Sequence, residues 1–105
     1  MPLTRFTLRQ IEAFVTVAEQ HSFSGAADRL GLTAQAVSQL VAELEHTLGF
    51  RLFDRTTRRV GLSSAGRDFI DSAETLIRQV RAAESAADDV RNQAVGRVRV
   101  GAPLV

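Results

Sequence analysis

Only Gly31 and Leu32 separate two segments that each read as a helix, and this short junction limits what the chain can fold into. In the first segment, "SFSGAADRLG", Ser22 or Ser24 can cap the start. Phe23, Ala26, Ala27 and Leu30 form one apolar side, and Gly31 ends the helix in the left-handed conformation that glycine tolerates. In the second, "LTAQAVSQLVAELE", Thr33 stands at the cap position. Val37, Val41, Leu44 and Leu48 follow at helical spacing, and Gly49 closes the run. Two short helices joined by so tight a turn cannot lie antiparallel; they cross steeply, as in a helix-turn-helix. Ahead of them, Leu8, Ile11, Phe14, Val15 and Ala18 predict a helix over 7–20, with Thr7 able to cap it.

The period then changes twice. Arg51-Leu52-Phe53 and Arg59-Val60-Gly61-Leu62 alternate polar with apolar, which predicts two short strands around an arginine-rich loop, a β-hairpin wing. From Ser63, a cap candidate, the pattern becomes long. Phe69, Ala73, Leu76, Val80, Ala83, Ala87, Val90 and Ala94 alternate steps of four and three. About thirty residues of helix reach roughly 45 Å, more than a 70-residue head can cover. A second chain lying along the stripe is therefore the expected cover, and a helix folded back on its own head is the alternative. Beyond Ala94, "VGRVRVGAP" reads as a strand without a partner, as if opening a further domain. The expected fold is mainly α: a winged helix-turn-helix over 1–62, a long dimerisation helix over 63–94, and over 95–105 the first strand of a domain not included.

Composition excludes several functions. With no cysteine, neither a disulfide framework nor a thiolate metal site can form. No secretory pattern and no apolar run near twenty residues occurs, so a soluble cytoplasmic protein with no membrane partner is expected. A net charge of +1 is weak support for a nucleic-acid partner. The distribution says more: all thirteen basic residues are arginine, and four fall between Arg51 and Arg59 against the single acid Asp54. Arginine is the better fork for phosphate and guanine, although a GC-rich genome also produces an arginine-only chain.

An enzyme finds no footing. His21 and His46 lie on different elements, no glycine-rich phosphate loop exists, and the serines of "GLSSAG" sit at a helix start without the strand-turn-helix frame of a nucleophile elbow. Glu43 with Glu45, and Asp88 with Asp89, read as surface acids rather than metal sets. The second helix of the pair has chemistry of another kind. At 100° per residue, Val41, Leu44 and Leu48 fall within about 40° of Val37. Gln35, Gln39, Ala42 and His46 lie opposite, with Ser38 on the flank. Short neutral hydrogen-bonding groups near a helix N-terminus suit entry into a major groove. Glutamine can pair bidentately with adenine, and serine can meet either kind of edge. Arg55, Thr56, Thr57, Arg58 and Arg59 form a basic tip able to clamp phosphate or enter a narrow minor groove. Ser22, Ser24 and Gly25 offer hydroxyls and N–H groups at a helix start, a seat for phosphate. A winged helix serving protein–protein assembly, without DNA affinity, is the rival reading.

The ordered elements Phe14, "SF-x-x-AA-x-x-L" over 22–30, "AVS" over 36–38, "LE-x-x-LG" over 44–49, "LF-x-R" over 52–55 and "L-[ST]-x-AG" over 62–66 resemble the N-terminal DNA-binding domain of LysR-type transcriptional regulators. The likeness runs from Leu8 to Gly66 and more loosely to about Ala94. It implies a sequence-specific homodimer on a double-stranded DNA operator of imperfect inverted repeats, with dimerisation through the long helix. It further implies a C-terminal domain binding a small effector, and no cofactor within these residues. Base contacts are implied at Ala34, Gln35, Ser38 and Gln39, within a reading segment from Thr33 to Ala42, and a minor-groove contact at Arg58. Ala34 stands where the family often has glutamine, and Gln39 where it often has arginine or lysine.

Overall fold

The computed structural model describes residues 5–54 and 59–104, with side-chain surroundings through residue 94. Its elements run α1 (Leu8–Gln20), α2 (Phe23–Leu30), α3 (Ala34–Leu48), β1 (Phe53–Asp54), β2 (Gly61–Leu62) and α4 (Ser64–Leu104). Each of the first three helices starts on a hydroxyl. Thr7 accepts from the Gln10 N–H, Ser22 from the Gly25 N–H and Thr33 from the Ala36 N–H. At α1 the cap is reciprocal, because Gln10 Oε1 accepts the Thr7 N–H at 3.1 Å. Gly31 (φ 68°) and Gly49 (φ 86°) end α2 and α3 in the left-handed region that glycine occupies without penalty. His21 ends α1 there too, at φ 55°, where a side chain costs about 1 kcal/mol.

The core joins all of these elements. Ile11, Phe14 and Val17 of α1, Ala26 of α2, and Val37, Val41 and Leu44 of α3 are fully buried, together with Leu52 before β1. A relay of phenylalanine rings runs through it. Phe14 meets Phe53 edge-on at 5.5 Å and stacks with Phe69 at 5.9 Å. Phe23 meets Phe53 at 5.9 Å, and Phe50 meets Phe69 at 6.2 Å. α1, α2, β1 and α4 therefore share one aromatic seam, with contacts in the range where ring pairs add to area burial.

β1 and β2 pair antiparallel, Phe53 with Leu62 and Asp54 with Gly61. The strands are shorter than the expected 51–53 and 59–62, but the hairpin is present. The wing is fastened to α3 by Glu45. Its Oε2 accepts the Leu52 N–H at 2.7 Å and lies 3.7 Å from Arg51 Nε. Glu45 is thus not the surface acid expected from sequence; its side chain is 11% exposed. The exposed Arg51 arm adds little, whereas the hydrogen bond satisfies a donor on a buried residue. Glu45→Ala orphans that N–H, and an expected loss of about 1–3 kcal/mol is measurable by chemical denaturation.

α4 departs from expectation in two places. First, the stripe that was to meet a second chain is divided. Ala73 (1% exposed) and its neighbour Ile77 lie in the head's own core, Phe69 and the half-buried Leu76 pack against that core, and Val80 is half-buried. Only from residue 81 to 94 is every residue exposed, Ala83, Ala87 and Val90 among them. The heptad spacing located the stripe, but the head covers its first turns. Second, the strand expected over 95–105 is not formed: the helix continues to Leu104. A lone strand leaves its ladder groups unpaired, whereas a helix satisfies its backbone internally. No helix among the described residues is long and apolar enough to cross a membrane.

Candidate nucleic-acid interface

α3 presents the face expected of it. Its buried side carries Val37, Val41 and Leu44, and Leu40 and Leu48 pack at the margin. Opposite, Thr33, Ala34, Gln35, Gln39, Ala42 and His46 are exposed, and Ser38 is half-buried on the flank. Packing of the first face against α1 and α2 therefore holds the second outward, so hydrophobic burial orients the polar groups. Gln35 and Ser38 make no side-chain hydrogen bond among the described residues, and their donors and acceptors remain open to a ligand. The Thr33 oxygen accepts from Ala36 N at 3.0 Å, leaving its hydrogen to donate.

Gln39 is different. Its Nε2 donates to Glu43 Oε2 at 3.3 Å, one turn along the same helix. The other carboxylate oxygen, Oε1, accepts from Gln10 Nε2 of α1 at 3.5 Å. Glu43 thereby bridges the first helix and the reading face. Sequence reasoning passed over this acid as a solvated one, although the Gln39/Glu43 spacing of four residues carried the signal.

At the start of α2, Ser22 Oγ caps Gly25 N at 3.0 Å and lies 3.0 Å from Ser24 Oγ. Ser22 and Gly25 are half-buried and Ser24 is exposed. The two hydroxyls and the helix end are thus brought together, as the sequence implied. In the wing, Arg59 is exposed; Arg55, Thr56, Thr57 and Arg58 lie outside the described residues. The wing base emerges beside the C-terminal end of α3, through the Glu45–Leu52 bond.

Three helices, the second and third joined across a glycine turn, followed by a two-stranded wing and a long helix, define a winged helix-turn-helix DNA-binding domain. The family model for bacterial regulatory helix-turn-helix proteins of the lysR family matches residues 8–67, and the chain belongs to that family. It is 43% identical over 94 residues to the transcriptional regulator ShiR of Corynebacterium glutamicum, covering 90% of this chain and 32% of that one. Over 101 residues it is 37% identical to PtxR of Pseudomonas aeruginosa, covering 96% of this chain and 32% of that protein. The chain thus spans about a third of the length of these relatives. Among solved structures, the DNA-binding domain of BenM in complex with benA site 1 DNA superposes with a TM-score of 0.74 at 32% identity, covering 81% of this chain and 96% of that one. DarR of Vibrio fischeri, in complex with DNA, gives 0.74 at 30% identity, covering 88% of this chain and 30% of that one.

Proposed function

We propose that this domain binds a specific double-stranded operator as a homodimer, with the segment from Thr33 to Ala42 in the major groove and the arginine wing in the adjacent minor groove. The observation that carries the reading is the uncharged start of the outward side of α3: exposed Gln35 and half-buried Ser38 stand with unused hydrogen-bonding groups on a helix fixed by its buried side. Such groups discriminate bases, and the phosphate attraction that brings them there comes from elsewhere. The wing arginines supply it, helped by the start of α2 at Ser22, Ser24 and Gly25. BenM and DarR, each similar to this chain, were solved with DNA.

Dimerisation through α4 is part of the same proposal. Ala83, Ala87 and Val90 leave an apolar stripe in water, with Val90 at 65% exposure. Its small residues permit close approach of a second helix. Two-fold symmetry then places two reading helices on an imperfect inverted repeat. In a longer protein of this family, response to a small effector would belong to the effector-binding domain, and the domain described here would bind DNA in the cytoplasm without a cofactor.

The test is a fluorescence-anisotropy titration of a selected duplex across salt concentrations. Each neutralised phosphate contributes a slope of about −0.9 in log K against log salt. A steep negative slope is expected, reduced by about one unit for each Arg58 contact removed by Arg58→Ala in a dimer. Gln35→Ala and Ser38→Ala should instead alter base preference. Absence of DNA affinity at low salt would replace this reading with that of a protein-assembly module.

A further inference from the structure

We propose that Glu43 is a positioning residue that sets which way the Gln39 amide faces, and so makes Gln39 a reader of adenine. The proposal rests on the reading above, in which α3 enters the major groove.

The capping box of α1 is the first anchor. Gln10 Oε1 accepts the Thr7 N–H at 3.1 Å, so the orientation of this amide is fixed and its Nε2 points the other way. That nitrogen donates to Glu43 Oε1 at 3.5 Å, a long contact that links the carboxylate to α1. An ionised carboxylate only accepts. Gln39 can therefore satisfy Glu43 Oε2 only with its own nitrogen, which it does at 3.3 Å. The carbonyl oxygen of Gln39 is left to face away from Glu43, accompanied by the second hydrogen on Nε2.

That leaves one acceptor and one donor to a base edge. In the major groove adenine offers the complement, an exocyclic amine beside the N7 acceptor. Guanine offers two acceptors, N7 and O6, and would require Gln39 to donate twice or to turn its amide and set its oxygen against the carboxylate. Glu43 is thus a restraint built from α1, α3 and a helix cap. The carboxylate also opposes DNA phosphates generally, an effect that lowers affinity for every sequence alike. A ratio between bases at one position cancels that general effect.

The experiment measures binding of the 105-residue chain to its selected duplex, substituted one base pair at a time. Gln39→Ala first locates the base pair that Gln39 reads: preference should flatten at one position per half-site. The unaltered chain should prefer adenine to guanine there by roughly tenfold or more, as expected for a bidentate pair. In Glu43→Ala that ratio should fall to about twofold to threefold, with ratios elsewhere unchanged even as overall affinity rises. Glu43→Gln, which keeps an acceptor oxygen without the charge, should fall between the two. Unchanged discrimination in Glu43→Ala, an equal change at every position, or identical behaviour of the Ala and Gln variants would each overturn the proposal. If Gln39→Ala flattens no position, it is the base-reading role of Gln39 that fails, a separable result. Glu43 is exposed, so both variants should fold, which circular dichroism checks.

Discussion

Replacing Phe14 by alanine is expected to lower stability by about 3–5 kcal/mol, the usual cost of removing a buried phenylalanine ring. Phe14 is fully buried, and its ring touches both Phe53 of the wing and Phe69 of the long helix. The vacated space would border α1, the wing and the long helix. Domains of this size are stable by roughly 5–15 kcal/mol in total, so the loss is a large share of the whole. Each kcal/mol moves the melting temperature of a small domain by about 4–8 °C. Thermal unfolding followed by circular dichroism should thus show a fall of more than about 10 °C. Phe50→Ala supplies the contrast. Its ring is 36% exposed and meets only Phe69 among the ring pairs, so its loss should cost far less. Equal losses in the two variants would mean that the aromatic seam has no centre.

The second large effect is expected at Gly66. The backbone around it is helical, so alanine would ordinarily be favoured there by about 1 kcal/mol. Space forbids it. A Cβ at this position would overlap the Leu52 carbonyl oxygen and approach the Leu52 carbonyl carbon to 3.1 Å and Leu62 Cδ2 to 3.2 Å. The oxygen is backbone and already accepts the Ser63 N–H at 2.9 Å, so it cannot move aside cheaply. Gly66→Ala should therefore destabilise by about 3 kcal/mol net, the upper range for overpacking. Denaturant titration measures the loss. A variant as stable as the original chain would show that the wing yields to α4 without cost.

The sequence showed the three head helices clearly because their ends are marked by hydroxyl caps and glycines, signals that act within one turn. It showed the reading face because Val37, Val41 and Leu44 fix the opposite side. Gly66 was visible only as part of a motif, since its reason is a carbonyl fourteen residues earlier. The same limit explains the divided stripe of α4. Period tells which residues line up, and the head's depth decides that Ala73 belongs to the core while Ala87 does not. Alternation in "VGRVRV" likewise promised a strand, but a strand is a pairing, and among the described residues the segment is helical and pairs with none. The Glu43 bridge depends on α1 and α3 meeting at a particular register, which neither helix encodes alone.

Ser63 sits where the wing ends and α4 begins, and it binds in both directions. Its hydroxyl donates to the Arg51 carbonyl at 2.6 Å and accepts from Gly66 N at 2.9 Å, while its own N–H holds Leu52. No slack residue intervenes between hairpin and helix. The long helix therefore leaves the head as a welded spar and not on a swivel. Were the proposed homodimer to join along such spars, the gap and tilt between its two heads would belong to a stiff frame. A DNA site with the wrong spacing would then have to twist or bend to be gripped, and the mechanical work would fall on the duplex.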